Sequence, residues 1–151
     1  MRIAVGNDHR GCALKNYVLE ILTEHKYEYK DFGCYTEEAV DYPDIAVQVA
    51  DAIVRGEFDR GILVCATGIG MCIAANKVFG IRAAQCYDAF TAKRARLHND
   101  AQICCIAAEE GQVRVKAILE VFLTTEFEGG RHIGRLKKIE EIEKKQCQKK
   151  R

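Results

Sequence analysis

Apolar and polar positions follow two periods that take turns along the chain. Short apolar runs fall at residues 2–6 (Arg-Ile-Ala-Val-Gly), 28–32, 61–65 (Gly-Ile-Leu-Val-Cys), 82–86 and 102–107, with the length and residue types of strands. Between them the spacing becomes helical. Leu14, Tyr17, Val18, Ile21 and Leu22 sit at i, i+3, i+4, i+7 and i+8, one face of a helix. Ile45, Val49, Ala52 and Ile53 repeat that spacing, as do Ile118, Val121 and Phe122. The run at 61–65 is apolar at consecutive positions, as expected of a central parallel strand covered on both faces. Strand and helix in regular turn predict a doubly wound, Rossmann-like α/β fold: a five-stranded parallel sheet with helices on both faces. In such a sheet, ligands bind beyond the carboxyl ends of the strands.

The pattern changes once, at Gly129-Gly130. Residues 131–151 carry nine Lys/Arg against three acids, a net +6, which leaves −5 for the body of a chain whose total is +1. Ile133, Leu136, Ile139 and Ile142 recur every three residues there. This predicts an extra C-terminal helix with one apolar stripe, which docks on the body or on a partner subunit. The expected organisation is a single domain, with an α/β body over 1–130 and a basic helix over 131–151.

At 151 residues, 48% hydrophobic and with one Pro, the chain suits one globular domain and excludes disordered and collagen-like classes. A net charge of +1 gives the whole molecule no strong pull on nucleic acid. No apolar run approaches the ~20 residues of a membrane span, and the N-terminus meets Asp8-His9 before a secretory apolar core could form. The expectation is a soluble, cytoplasmic protein without nucleic-acid or membrane partners. The eight cysteines include no C-x-x-C pair, and several lie within apolar runs. Neither a disulfide scaffold nor a zinc site is expected; all but Cys65 read as reduced core filler.

Four clusters are expected to converge at the carboxyl edge of the sheet. Gly6-Asn7-Asp8-His9-Arg10-Gly11 follows the first strand; Asp8 and His9 could face a ligand, and Asp8 or Asn7 equally suits a helix cap. Cys65-Ala66-Thr67-Gly68-Ile69-Gly70 joins the third strand to the next helix. Its backbone N–H groups and the helix N-terminus could cradle an anion and favour the Cys65 thiolate; a buried strand-end thiol is the other reading. The run is neither a full dinucleotide fingerprint nor a P-loop. His98-Asn99-Asp100 ends a polar helix and could be a C-terminal cap or a source of acid. In Gly129-Gly130-Arg131-His132-Ile133-Gly134-Arg135, the arginines stand four apart on one helical face and could grip a phosphate or be solvated. Together these clusters suggest a phosphorylated small substrate and acid–base chemistry.

Over nearly its whole length the chain resembles ribose-5-phosphate isomerase type B, of the sugar-phosphate isomerase family that also holds galactose-6-phosphate isomerase subunits. The resemblance rests on Gly6-x-Asp8-His9, Asp41-Tyr42-Pro43-Asp44, Cys65-Ala66-Thr67-Gly68-Ile69-Gly70 with Ala74-Ala75-Asn76-Lys77, Gly80-Ile81-Arg82-Ala83, His98-Asn99, and Gly129-Gly130-Arg131-His132 with Arg135. It implies interconversion of ribose 5-phosphate and ribulose 5-phosphate through an enediolate, in the non-oxidative pentose phosphate pathway, with no metal or organic cofactor. By the same resemblance Cys65 is the base, Thr67 its aid, and His98 the acid that opens the ring beside Asp8 and Tyr42. The N–H groups of Ala66, Gly68, Ile69 and Gly70 hold the enediolate; His9, Arg131 and Arg135 hold the phosphate; Asn99 contacts hydroxyls. Family members are dimers or tetramers with sites shared between chains, so a homodimer or homotetramer is implied.

Two departures bear on the substrate. Ala66 stands where the family loop has glycine, which is tolerable only at negative φ. Ala108-Glu109-Glu110-Gly111 stands where an arginine is common, and acids facing a phosphate would repel it. Allose 6-phosphate, galactose 6-phosphate or a tetrulose phosphate are therefore alternative substrates. A non-catalytic sugar-phosphate sensor, with Cys65 as packing, is the alternative of another class.

Overall fold

The structure, a computed structural model, describes residues 1–36 and 38–148. Its elements run β1 (Arg2–Asn7), α1 (Cys12–Glu24), β2 (Glu28–Asp31), α2 (Tyr42–Val54), β3 (Arg60–Cys65), α3 (Ile69–Ala75), β4 (Ala83–Gln85), α4 (Ala89–Asn99), β5 (Ile103–Ala107), α5 (Gln112–Thr124) and α6 (Arg131–Gln148). Short 3-10 turns follow β1 at His9–Gly11 and β5 at Ala108–Glu110. All strand pairs are parallel and the order is β2-β1-β3-β5-β4. The expected five-stranded doubly wound sheet is thus the one observed, with strand ends shifted by a residue or two. The C-terminal helix runs to Gln148; the last three residues of its expected span lie outside the described residues.

Alternation sorts the side chains of the central strands. Ile3, Val5, Ile62, Val64, Cys104 and Ile106 point to one face, where α1, α4 and α5 bring Leu14, Val18, Leu22, Ala95, Ile118 and Phe122. Ala4, Leu63, Cys65, Ile103 and Cys105 point to the other, against Ala46, Val49 and Ala50 of α2 and Met71 of α3. Each of these large aliphatic side chains contributes roughly 1.5–3 kcal/mol by leaving water.

The edge strand β4 is only three residues long, and α3 covers its outer rim. Asn76 donates from Nδ2 to the Ala83 carbonyl at 2.8 Å and accepts the Ala83 N–H on Oδ1 at 2.9 Å. One helical turn earlier, the Cys72 thiol donates to the same Ala83 carbonyl at 3.5 Å. At the far rim, β2 is exposed and charged, with sequence Glu-Tyr-Lys-Asp.

The stripe on α6 buries Leu136, together with His132, while Ile133, Ile139 and Ile142 are 46%, 45% and 60% exposed. One expectation about exposure is corrected. Of the cysteines expected in the core, Cys147 is exposed and Cys12, Cys34 and Cys72 are half-buried. Among the described residues, no helix is long and apolar enough to cross a membrane.

Candidate active site

The chain passes from β2 across β1 to β3, so the order reverses between β1 and β3. At such a switch point the loops leaving the two strands diverge and open a crevice. Asp8 follows β1 and Cys65 ends β3, and the Asp8 N–H donates to the Val64 carbonyl at 3.2 Å. Asp8 is buried, and its Oδ1 accepts the N–H groups of Arg10 and Gly11 at 3.0 and 3.1 Å. It therefore caps the turn and fixes the direction in which His9 leaves. His9 accepts the Val40 N–H on Nδ1 at 3.4 Å, which leaves Nε2 to carry the proton of the neutral ring.

Cys65 is 5% exposed, and its sulfur accepts the Gly68 N–H at 3.0 Å. Gly68 has φ +75°, and a Cβ there would also run into the Gln85 amide. Ala66 is not among the positive-φ residues, so its methyl group causes no backbone strain. Thr67 is exposed, with Oγ1 accepting the Ile69 N–H at 3.3 Å and its carbonyl accepting Gln85 Nε2 at 2.6 Å. Gly70 lies beneath the Tyr42 ring, since a Cβ on it would come within 2.7 Å of Tyr42 Cζ. This approach brings Tyr42, the first residue of α2, over the loop.

A cavity of about 530 Å³ opens here, lined by His9, Arg10, Cys12, Ala66 and Glu109 among others. Glu109 therefore shares a wall with His9; the Glu110 side chain lies outside the described residues. Gln85 is a residue of this region that sequence reasoning gave no role, and no local motif marks it. Gln85 Oε1 is buried without a hydrogen-bond partner, as is Oδ1 of Asn7, for which the sequence suggests only a cap.

His98, Asn99, Arg131 and Arg135 are elsewhere. They were expected at the carboxyl edge, yet His98-Asn99 ends α4 just before β5 begins, and a residue between a helix and the next strand sits at the amino edge. The bonds agree: Arg82, immediately before β4, donates from Nε to the Asn99 carbonyl at 2.9 Å. A five-residue strand spans roughly 15 Å, so this group and Cys65 lie on opposite rims of one sheet. The helix closes with Asp100 in the left-handed region at φ 43°, so Asp100, rather than Asn99, performs the cap.

At the amino edge the His98 and His132 rings stack 4.2 Å apart at 13°. Glu128 Oε2 lies 3.7 Å from His98 Nε2 and 3.6 Å from His132 Nε2. Arg94 sits 2.9 Å from His98 Nε2; a guanidinium only donates, so Nε2 accepts and the ring proton belongs on Nδ1. Burial, then the neighbouring His98 and Arg131, hold His132 below the ordinary imidazole value of 6.5. The three side chains could hold a metal by distance, their ligand atoms lying within 4.8 Å of one another. Arg94 already occupies His98 Nε2, and His132 Nε2 is buried without a hydrogen-bond partner. Arg131 and Arg135 are exposed on the first turns of α6. Further along α6 a cleft of about 380 Å³ is lined by Arg82, Asn99, Ile139, Ile142 and Glu143 among others, without either arginine of the first turns.

A strand-end thiol on a glycine loop, placed at the switch point of this sheet, narrows the comparison. The family described as Ribose/Galactose Isomerase matches residues 3–139. The chain belongs to this family. It is 44% identical over 146 residues to the ribose-5-P isomerase B of Listeria innocua, covering 96% of this chain and 99% of that protein. It is also 44% identical over 144 residues to the D-erythrulose-4-phosphate isomerase of Pectobacterium atrosepticum, covering 94% and 93%. The structure of Clostridium thermocellum ribose-5-phosphate isomerase B superposes with a TM-score of 0.93 at 48% identity, covering 96% of this chain and 99% of that one. As a member of the family the chain is an isomerase acting on a sugar phosphate. The family contains more than one substrate preference at equal identity, so the name of the sugar rests on the site itself.

Proposed function

We propose that this protein interconverts D-ribose 5-phosphate and D-ribulose 5-phosphate, in the cytoplasm and in the non-oxidative pentose phosphate pathway. The observation that carries the reading is the Gly68 N–H donated to the Cys65 sulfur. It places a hydrogen-bond donor where negative charge rests once the thiol has lost its proton. Cys65 then takes the proton from carbon 2 of the open aldose and returns it to carbon 1. The charge that develops on the substrate oxygen is met by the backbone N–H groups of Ala66 and Gly70, while those of Gly68 and Ile69, expected in the same cradle, are held by the Cys65 sulfur and Thr67 Oγ1. One such donor is typically worth about 2.7–4 kcal/mol in the transition state. Thr67 serves the two oxygens of the enediolate, while Asp8 and Tyr42 orient the sugar.

The acid that opens the ring is His98, with Asn99 on the hydroxyls and His9, Arg131 and Arg135 on the phosphate. Since these residues occupy both rims of the sheet, a working site takes Cys65, Asp8, His9 and Tyr42 from one copy and His98, Asn99, Arg131 and Arg135 from a second. A two-fold dimer arranged so completes two equal sites, and a tetramer pairs two such dimers. Exposed Ile69, Ile73, Phe79 and Phe90, with the bare stripe of α6, supply an apolar surface for that contact. Thiol base and imidazole acid together account for both proton transfers, so neither metal nor organic cofactor enters the scheme. The free thiols suit a reducing compartment.

A second reading keeps the mechanism and changes the sugar. Glu109 in the His9 cavity puts a carboxylate near the expected phosphate, and a relative at equal identity is named for a tetrulose phosphate. Turnover of ribose 5-phosphate, allose 6-phosphate and erythrulose 4-phosphate, measured side by side in chelating buffer, separates these. Highest kcat/KM on the pentose supports the first reading, a preference for another sugar supports the second, and no turnover on any overturns both in favour of a sensor.

A further inference from the structure

The cavity beside His9 has a second chemical feature on its wall. Cys12, at the start of α1, lines it, and the Cys12 sulfur lies 3.6 Å from that of Cys34. Both sulfurs face the same donor: Asn7 Nδ2 is 3.3 Å from Cys12 Sγ and 3.6 Å from Cys34 Sγ. The Cys34 backbone is held on both sides, its N–H donating to the Asn7 carbonyl at 3.2 Å and its carbonyl accepting Lys15 Nζ at 2.8 Å. Lys15 is itself buried and paired with Asp31 at 2.8 Å. Two thiols in van der Waals contact, anchored by neighbours that do not depend on the sulfurs, are poised to close toward the ~2.05 Å of a disulfide.

We propose that Cys12 and Cys34 are a reversible redox pair, closed by exchange with a low-molecular-weight disulfide that enters through the His9 cavity. In the first step Cys12 loses its proton to solvent and its sulfur attacks one sulfur of the small disulfide. A Cys12–S–S–R bond forms and one R–S⁻ leaves to take up a proton. In the second step the Cys34 sulfur, losing its proton, attacks Cys12; the Cys12–Cys34 bond forms and the second R–S⁻ departs. The protein gives up two hydrogens and two electrons, and the small disulfide becomes two thiols. The order of attack follows from the surroundings. Burial and the adjacent Cys12 thiol push Cys34 up to about 11, so Cys34 stays protonated and acts as the resolving thiol. The other close pairs, Cys86–Cys104 and Cys72–Cys105, each include a sulfur sealed in β5. Oxidation reaches the substrate pocket because Val40, six residues after Cys34, holds His9 Nδ1.

The test is a thiol map of the full chain equilibrated in glutathione buffers of increasing oxidised fraction, quenched and digested without reduction. The expected product is a Cys12–Cys34 cross-linked peptide lighter by two hydrogens, returning to two free thiols with dithiothreitol. Cys34→Ser should stop at Cys12 carrying one glutathione, and Cys12→Ser should leave Cys34 free. Persistence of both thiols, or their linkage to other cysteines, overturns the pairing. Because the readout is mass, it stands apart from whether the protein turns over any sugar.

Discussion

Cys65 ends the third strand and His98 ends the fourth helix, so a single sheet holds them at opposite rims. Neither variant at these positions should work alone, yet the two should complement. In a hybrid dimer, the Cys65→Ala chain lends an intact His98 to the intact Cys65 of the His98→Ala chain. With random exchange half the dimers are hybrids carrying one good site each, which predicts about a quarter of wild-type activity. The measurement is the rate of each variant before and after co-refolding. Recovery of nothing means that each site is built from one chain.

Loss of the Cys65 thiol should act on the chemical step. Cys65→Ala is expected to lower kcat by ~10²–10⁴ with KM little changed, as for a general base. Steady-state kinetics within a few-fold of wild type would remove Cys65 from that role.

Alkylation alone will not report on Cys65. The hydrogen bond from Cys105 and the backbone N–H of Gln85 bring Cys72 down to about 7, so above that pH it is largely thiolate and nucleophilic. Iodoacetamide at neutral pH should therefore label Cys72 early, as seen by peptide mass. Inactivation by the reagent should persist in Cys72→Ser, where it reports on the remaining thiols.

Gly70→Ala tests how Tyr42 is seated. The added methyl meets the ring, but Tyr42 is 40% exposed and can swing outward. Stability should fall little, with Tm within about 2 °C, while kcat/KM drops roughly tenfold. Gly68→Ala should behave differently: its positive φ and the Gln85 amide leave no such escape, and a cost of about 1–3 kcal/mol is expected. Thermal melts beside kinetics distinguish the two.

His132 gives the fold a pH dependence. Its value lies below the ordinary 6.5 in the folded chain, so the unfolded chain binds the proton more readily. Stability should be full above about 6.5 and fall as the pH drops through that value. The groups facing it pull both ways, His98, Arg131 and Arg135 against the proton and Glu128 for it. Denaturant midpoints from about pH 7.5 to 5.5 should decline for wild type and decline less for His132→Gln; equal slopes would assign the dependence to other groups.

The strands and most helices were legible because their cause is local. Ile62, Leu63 and Val64 are fully buried as an unbroken apolar run predicts, and Leu14, Val18 and Ile21 turn to the core at the spacing that announced them. The rim on which His98 sits was also legible from chain order, and was misread by grouping clusters by chemistry instead of following the direction of each helix. The stacking of His98 on His132, the pressure of Gly70 on Tyr42 and the meeting of Cys12 with Cys34 are different in kind. Each joins residues far apart in sequence through tertiary packing, and no periodicity encodes such a meeting. The exposed Ile139 and Ile142 show the limit from the other side: an apolar stripe states that burial is wanted, without stating by what.

The side chains of Asn76 and Cys72 cover the outer rim of β4. Asn76 offers Ala83 one donor and one acceptor, the same pair that the peptide group of a sixth strand would offer. The open rim is therefore satisfied at Ala83 by a side chain standing in for backbone, and β2 at the other end presents a charged ribbon, two devices by which sheets resist growth. They steer a second copy of this chain toward side chains on helices and loops. Association of that kind brings catalytic groups together without drawing the protein toward fibrils.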